Sequence, residues 1–171
     1  MFSSNKIEMQ PLAENMNVVL SGSWTEKNSG GSHLYDKEFL SNSDAQTWVN
    51  NPKYILKLIT NEAVEVKITL SRPEGPWRKP VGKNLVGCMI GFYVHQSGSI
   101  PTKDNVLNTE GTKFVPWNEI SETIVLKGNE INGNREGYVI MPCTYESLKE
   151  KEGPFMIAVS TTVEFTLTQL D

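Results

Sequence analysis

The stretch that decides the fold runs from Gly22-Ser23-Trp24 through Asn28-Ser29-Gly30-Gly31 to Trp48 and Asn51-Pro52-Lys53-Tyr54, immediately before Ile55-Leu56-Lys57-Leu58-Ile59. Each residue type has a structural use. Glycines serve positions that need positive φ, a proline halts and redirects the chain, and tryptophans fill a core. The punctuation ends in a strand, and the dominant period beyond it is two. Val64-Glu65-Val66-Lys67-Ile68-Thr69-Leu70 alternates apolar with polar residues, as a strand with one wet face does.

Working outward, strands are expected at 18–20 leading into Trp24, and at 55–59, 64–70, 86–95, 123–127, 138–141, 155–160 and 163–170. About eight strands rich in Val, Ile, Thr and aromatics, separated by Gly, Pro and Asn, predict an all-β fold. Without intervening helical periodicity they predict an antiparallel β-sandwich, of C2-like or jelly-roll type. Helix is confined to single turns at 42–49, where Asn42 or Ser43 can cap, and at 146–151. Three long loops are expected at 32–50, 72–83 and 96–122. Residues 1–16 read as an N-terminal extension and 17–171 as one sandwich domain.

Composition fits a single globular domain: 171 residues, 38% hydrophobic, 21% charged, net charge -4. That charge balance gives no global attraction to nucleic acid, which is not expected as a partner. No stretch reaches the eighteen apolar residues of a membrane span, and residues 1–6 lack the apolar middle of a signal peptide. Cys88 and Cys143 lie in apolar strand-like runs and read as buried free thiols rather than a disulfide. A cytoplasmic location is the expectation.

Catalysis has little to stand on. Neither cysteine has a visible cation or helix start to lower its pKa, and the two cysteines, like the two histidines, are distant from each other in sequence. His95, at a strand end, reads as a satisfied or surface histidine. Two cysteines and two histidines so dispersed do not suggest zinc. No catalytic residue and no required cofactor are expected. Calcium remains to be weighed, because it needs six to eight oxygens. The carboxylates are scattered over Asp36, Glu38, Asp44, Glu62 and Glu65 around a hairpin, Asp104 and Glu110. The run from Glu130 to Glu136 carries oxygens but includes Arg135, and Asn132-Gly133 reads better as a hairpin-type turn. One loop is locally basic and aromatic: Arg72, Trp77, Arg78, Lys79 and Lys83, with several prolines. It suits contact with a partner or a phospholipid surface, or else folding back over the sandwich end. Trp117, after Pro116, reads as a lid over one sheet.

Four blocks in order resemble domain III of the calpain-type cysteine proteases. They are Gly22, Trp24, Ser29, Gly30 and Gly31; Asn51 and Pro52 with the following strand; Tyr138, Pro142, Thr144, Tyr145 and Glu146; and Gly153-Pro154-Phe155 with its aliphatic run to Ser160. Gly91-Phe92-Tyr93-Val94 is similar to a further strand of that family. The resemblance implies a non-catalytic regulatory or docking sandwich, with a protease core in cis or another protein as partner and intracellular proteolysis as the parent activity. The alternative it leaves is a free-standing phospholipid- or calcium-responsive module. Conventional calpains carry an acidic loop where this chain has Thr60-Asn61-Glu62-Ala63, and in that respect it looks closer to the atypical members.

Overall fold

A computed structural model of the chain describes residues 15–25, 27–33, 47–73, 89–99, 101–102, 104–128, 137–145 and 153–170. The described residues form eight strands: β1 (Met16–Trp24), β2 (Lys53–Leu58), β3 (Ala63–Ser71), β4 (Ile90–Gln96), β5 (Glu119–Lys127), β6 (Tyr138–Thr144), β7 (Gly153–Thr161) and β8 (Phe165–Leu170). They pair antiparallel in two four-stranded sheets, ordered β1-β7-β3-β5 and β4-β6-β2-β8. The all-β sandwich expected from period-two patterning is what the chain builds.

The alternation in sequence becomes the two faces of the first sheet. Val66, Ile68 and Leu70 on β3, with Phe155, Ile157 and Val159 on β7, point into the core, while the residues between them face out. From the second sheet, Tyr54, Leu56 and Leu58 on β2, Phe92 and Val94 on β4, and Tyr138 and Ile140 on β6 complete that core. β4 and β6 lack alternation because they are buried on both sides. Their outward residues Tyr93, Met141 and Cys143 join Trp48 and Phe114 in a second apolar cluster, with Val49, Met89, Val106 and Tyr145 packed around it. Parts of two connections, β1 to β2 and β4 to β5, therefore lie over the outer face of the second sheet.

Several expectations need correction. The β2–β3 connection through Glu62 is no hairpin, because the two strands lie in different sheets. The same holds for β5 and β6, so no hairpin closes between them; residues 129–136 lie outside the described residues. The loop expected at 96–122 ends earlier, since β5 begins at Glu119, and it contains a 3-10 turn at Glu110–Lys113. Edge pairing with β3 extends β5 over Glu119 to Glu122, where polar residues hid the strand. Trp117 is no lid: it is 66% exposed. A single 3-10 turn, Thr47–Val49, stands at the end of the predicted 42–49 helix. Residues 42–46 and 146–151, like 86–88 of the predicted fourth strand, lie outside the described residues.

Candidate functional site

The opening motif is a set of mutual contacts. Gly22 sits beneath two rings: a Cβ there would collide with the Tyr54 hydroxyl and the Phe155 ring. Its reason is close approach, whereas Gly31 does take the positive φ of 81°. Trp24 is fully buried, packs at a tilt against Phe155 with ring centroids 4.5 Å apart, and donates its indole N–H to the Pro142 carbonyl at 3.0 Å. Asn51 donates through Nδ2 to the carbonyls of Gly31 (2.9 Å) and Trp48 (2.7 Å), while the Gly30 N–H donates to the Asn50 carbonyl. Ser32 donates to the Tyr145 carbonyl from both its backbone N–H and its hydroxyl. Pro52, Ser29 and Thr144 are likewise buried. Residues quoted from four separate blocks thus meet in two clusters, and their work is to hold strands and connections together.

Asn108 and Glu122 organise the other end of the second sheet. Asn108 accepts the Val94 N–H at 2.8 Å and donates to the Phe92 carbonyl at 2.9 Å, occupying the open edge of β4. Leu107 and Val115 extend that cover, the first donating to Val94 and the second exchanging a pair of backbone bonds with Ile90. The Glu122 carboxylate accepts from Asn108 Nδ2, from the Thr109 N–H at 3.0 Å and from the Gly111 N–H at 2.7 Å. One carboxylate therefore ties residues 108–111 of this connection to β5. Neither residue stood out in the sequence; an Asn and a Glu among polar loop residues carry no periodic signal.

Where this connection meets Trp48, a cavity of about 310 Å³ is lined by His33, Trp48, Tyr93, Val106, Asn108, Thr109 and Thr112. His33 packs edge-on to Trp48, and Trp48 edge-on to Tyr93. Among the described residues the lining offers aromatic faces, the His33 imidazole, the Asn108 amide and hydroxyls, with no carboxylate and no thiol.

Titratable groups elsewhere are built into the framework. Cys143 is a free, fully buried thiol whose pKa burial pushes well up, with Lys53 pulling weakly the other way. That is the opposite of an activated nucleophile. Lys53 donates to the Val49 carbonyl at 2.6 Å and the Asn51 carbonyl at 3.1 Å, and burial lowers its pKa. His95 is 2% exposed, so it is not a surface histidine; its Nδ1 donates to the Gln96 carbonyl at 2.8 Å, while its Nε2 is buried with no hydrogen-bond partner among the described residues. Burial lowers its pKa, and that carbonyl opposes the shift.

Among the described residues, no three of His, Cys, Asp and Glu gather as a metal would require. Glu62, Glu65, Asp104 and Glu110 are all exposed and apart. Asp36, Glu38, Asp44 and Cys88 lie outside the described residues, as do Trp77, Arg78, Lys79 and Lys83 of the basic loop. Arg72, the first residue of that group, is only 4% exposed, and its backbone N–H donates to the Asn118 carbonyl. It belongs to the sandwich wall. No helix among the described residues is long and apolar enough to cross a membrane.

The described residues form a two-sheet antiparallel sandwich whose distinctive residues serve packing. The family model for calpain large subunit, domain III, matches residues 20–160, and the chain belongs to that family. That domain is a non-catalytic part of the calpain proteases. A search of curated proteins finds no match to this chain.

Proposed function

We propose that this chain is a docking and regulatory sandwich that packs against a calpain-type cysteine protease core, in cis or as a separate partner, and tunes its proteolytic activity inside the cell. The observation that carries this reading is the family match over residues 20–160. The Cys143 thiol supports the same reading: it is fully buried, and burial pushes its pKa up, away from an activated nucleophile. In a protein where the sandwich accompanies such a core, deleting it lowers the core's peptidase activity or its unfolding midpoint. Unchanged activity and stability in the truncated protein would count against the proposal.

A further inference from the structure

The two lateral sides of the sandwich are finished differently. On one side β4 and β5 lie against each other across the layers. There the β4 edge is covered by Leu107, Asn108 and Val115, and β5 carries Glu119, Glu122 and Lys127 among its nine residues. Charges and covered backbone are two of the usual guards against edge-to-edge pairing.

The opposite side presents β1 and β8, the other terminal strands of the two sheets. β1 reads Met-Asn-Val-Val-Leu-Ser-Gly-Ser-Trp over Met16–Trp24, with no charge and no proline. It pairs with β7 through all nine residues without a bulge, so its backbone is extended and regular. Among the described residues, no backbone hydrogen bond reaches its outer edge. β8, the terminal strand of the other sheet (Phe165–Leu170), is uncharged too. Val19 is 58% and Met16 50% exposed, and Val18 and Leu20 pack on the core while remaining only half-covered.

β1 is also complementary to itself. Turned antiparallel about Leu20, a second β1 sets Leu20 against Leu20, Val18 against Gly22, and Met16 against Trp24 on the core-facing side. On the outer side Val19 meets Ser21, and Asn17 meets Ser23. Apolar residues meet apolar or small ones, polar meet small polar ones, and no like charges are opposed. We propose that β1 is a self-association edge: two copies of this chain join β1 to β1 about a two-fold axis, making one continuous eight-stranded sheet. The pairing satisfies the open N–H and C=O groups of the edge and covers Val18 and Leu20. It does not rest on the docking role, and it leaves the Trp48 face of each copy free.

The test uses the full 171-residue chain. Sedimentation velocity from about 10 μM to about 1 mM, a range suited to a small interface, should show a monomer–dimer equilibrium. Val19→Lys, an outward-facing change that places two lysines near the axis, should shift the dissociation constant at least tenfold with the circular dichroism spectrum unchanged. Hydrogen exchange on the unmodified protein gives a readout independent of any variant. Amides within 16–24 should gain protection as concentration rises, while those of β5 should not. A monomer throughout the range overturns the proposal, and so does a dimer whose β1 amides exchange independently of concentration. Dimerisation unchanged by Val19→Lys overturns it as well, whether another face or an extended foreign segment is then the occupant.

Discussion

The indole N–H of Trp24 donates to the carbonyl of Pro142 at 3.0 Å, joining residues 118 apart in sequence and on opposite sheets of the sandwich. The bond needs an indole: no other aromatic side chain of this reach offers a lone N–H donor with no acceptor. Trp24→Phe keeps most of the packing on Phe155 and leaves a buried carbonyl without that donor, costing about 1–2 kcal/mol; Trp24→Ala adds a cavity and costs about 3–5 kcal/mol. Urea denaturation followed by circular dichroism measures both.

Gly22→Ala should destabilise by about 1–3 kcal/mol, because the added methyl meets the Tyr54 hydroxyl and the Phe155 ring inside a filled core. Tyr54→Phe removes one of those two obstacles. Its hydroxyl is buried with no hydrogen-bond partner among the described residues, so the single change should be neutral or stabilising. The double variant should therefore lose less than the two single changes predict together. A double-mutant cycle by urea denaturation checks the non-additivity.

Glu122→Ala removes the acceptor for three donors of the β4–β5 connection. A cost of about 2 kcal/mol is expected. Hydrogen exchange should show the Leu107 and Val115 amides, which cover the β4 edge, opening before those of β7 do.

Two pH effects follow from burial. His95 resists protonation in the fold, while an unfolded histidine takes its proton near pH 6.5. Between that value and the lower folded one, the unfolded chain binds the extra proton, so stability falls as pH drops below about 6.5. His95→Gln should flatten stability between pH 5 and pH 7. At the other end, burial pushes Tyr54 up to about 12, against about 10 when unfolded. Stability is then lost as pH rises above about 10, and Tyr54→Phe should remove that share of the loss. Thermal unfolding across both pH ranges measures each slope.

Much of this fold was legible because its first sheet alternates. β3 carries Val66, Ile68 and Leu70 inward and charged or small residues outward, and the sequence states that pattern openly. β4 and β6 were legible as apolar runs, yet their meaning was not: buried on both faces, they signal that connections must cover the sheet. Which connections do so depends on Trp48 and Phe114 meeting Tyr93, contacts between segments far apart in sequence. The start of β5 was hidden because Glu119, Ser121 and Glu122 look like loop residues until pairing with β3 is known. Trp117 misled for the reverse reason: a large aromatic suggests burial, and here a proline-led turn leaves it in solvent. The family motif was readable as a set, while the reason for each member emerged only from its contacts. Gly22 yields to Tyr54 rather than to positive φ, and Asn51 holds two carbonyls of the preceding connection.

A sandwich that acts on a protease core, as proposed, must change that core's rate. The most direct measurement titrates the 171-residue chain into a calpain-type core from the same organism and follows hydrolysis of a fluorogenic peptide. A saturable change in rate of at least about twofold is expected, none of it from the chain alone and all of it retained when Cys143 is replaced by Ala. A rate that stays constant at every concentration, with no binding detected by calorimetry, would contradict it.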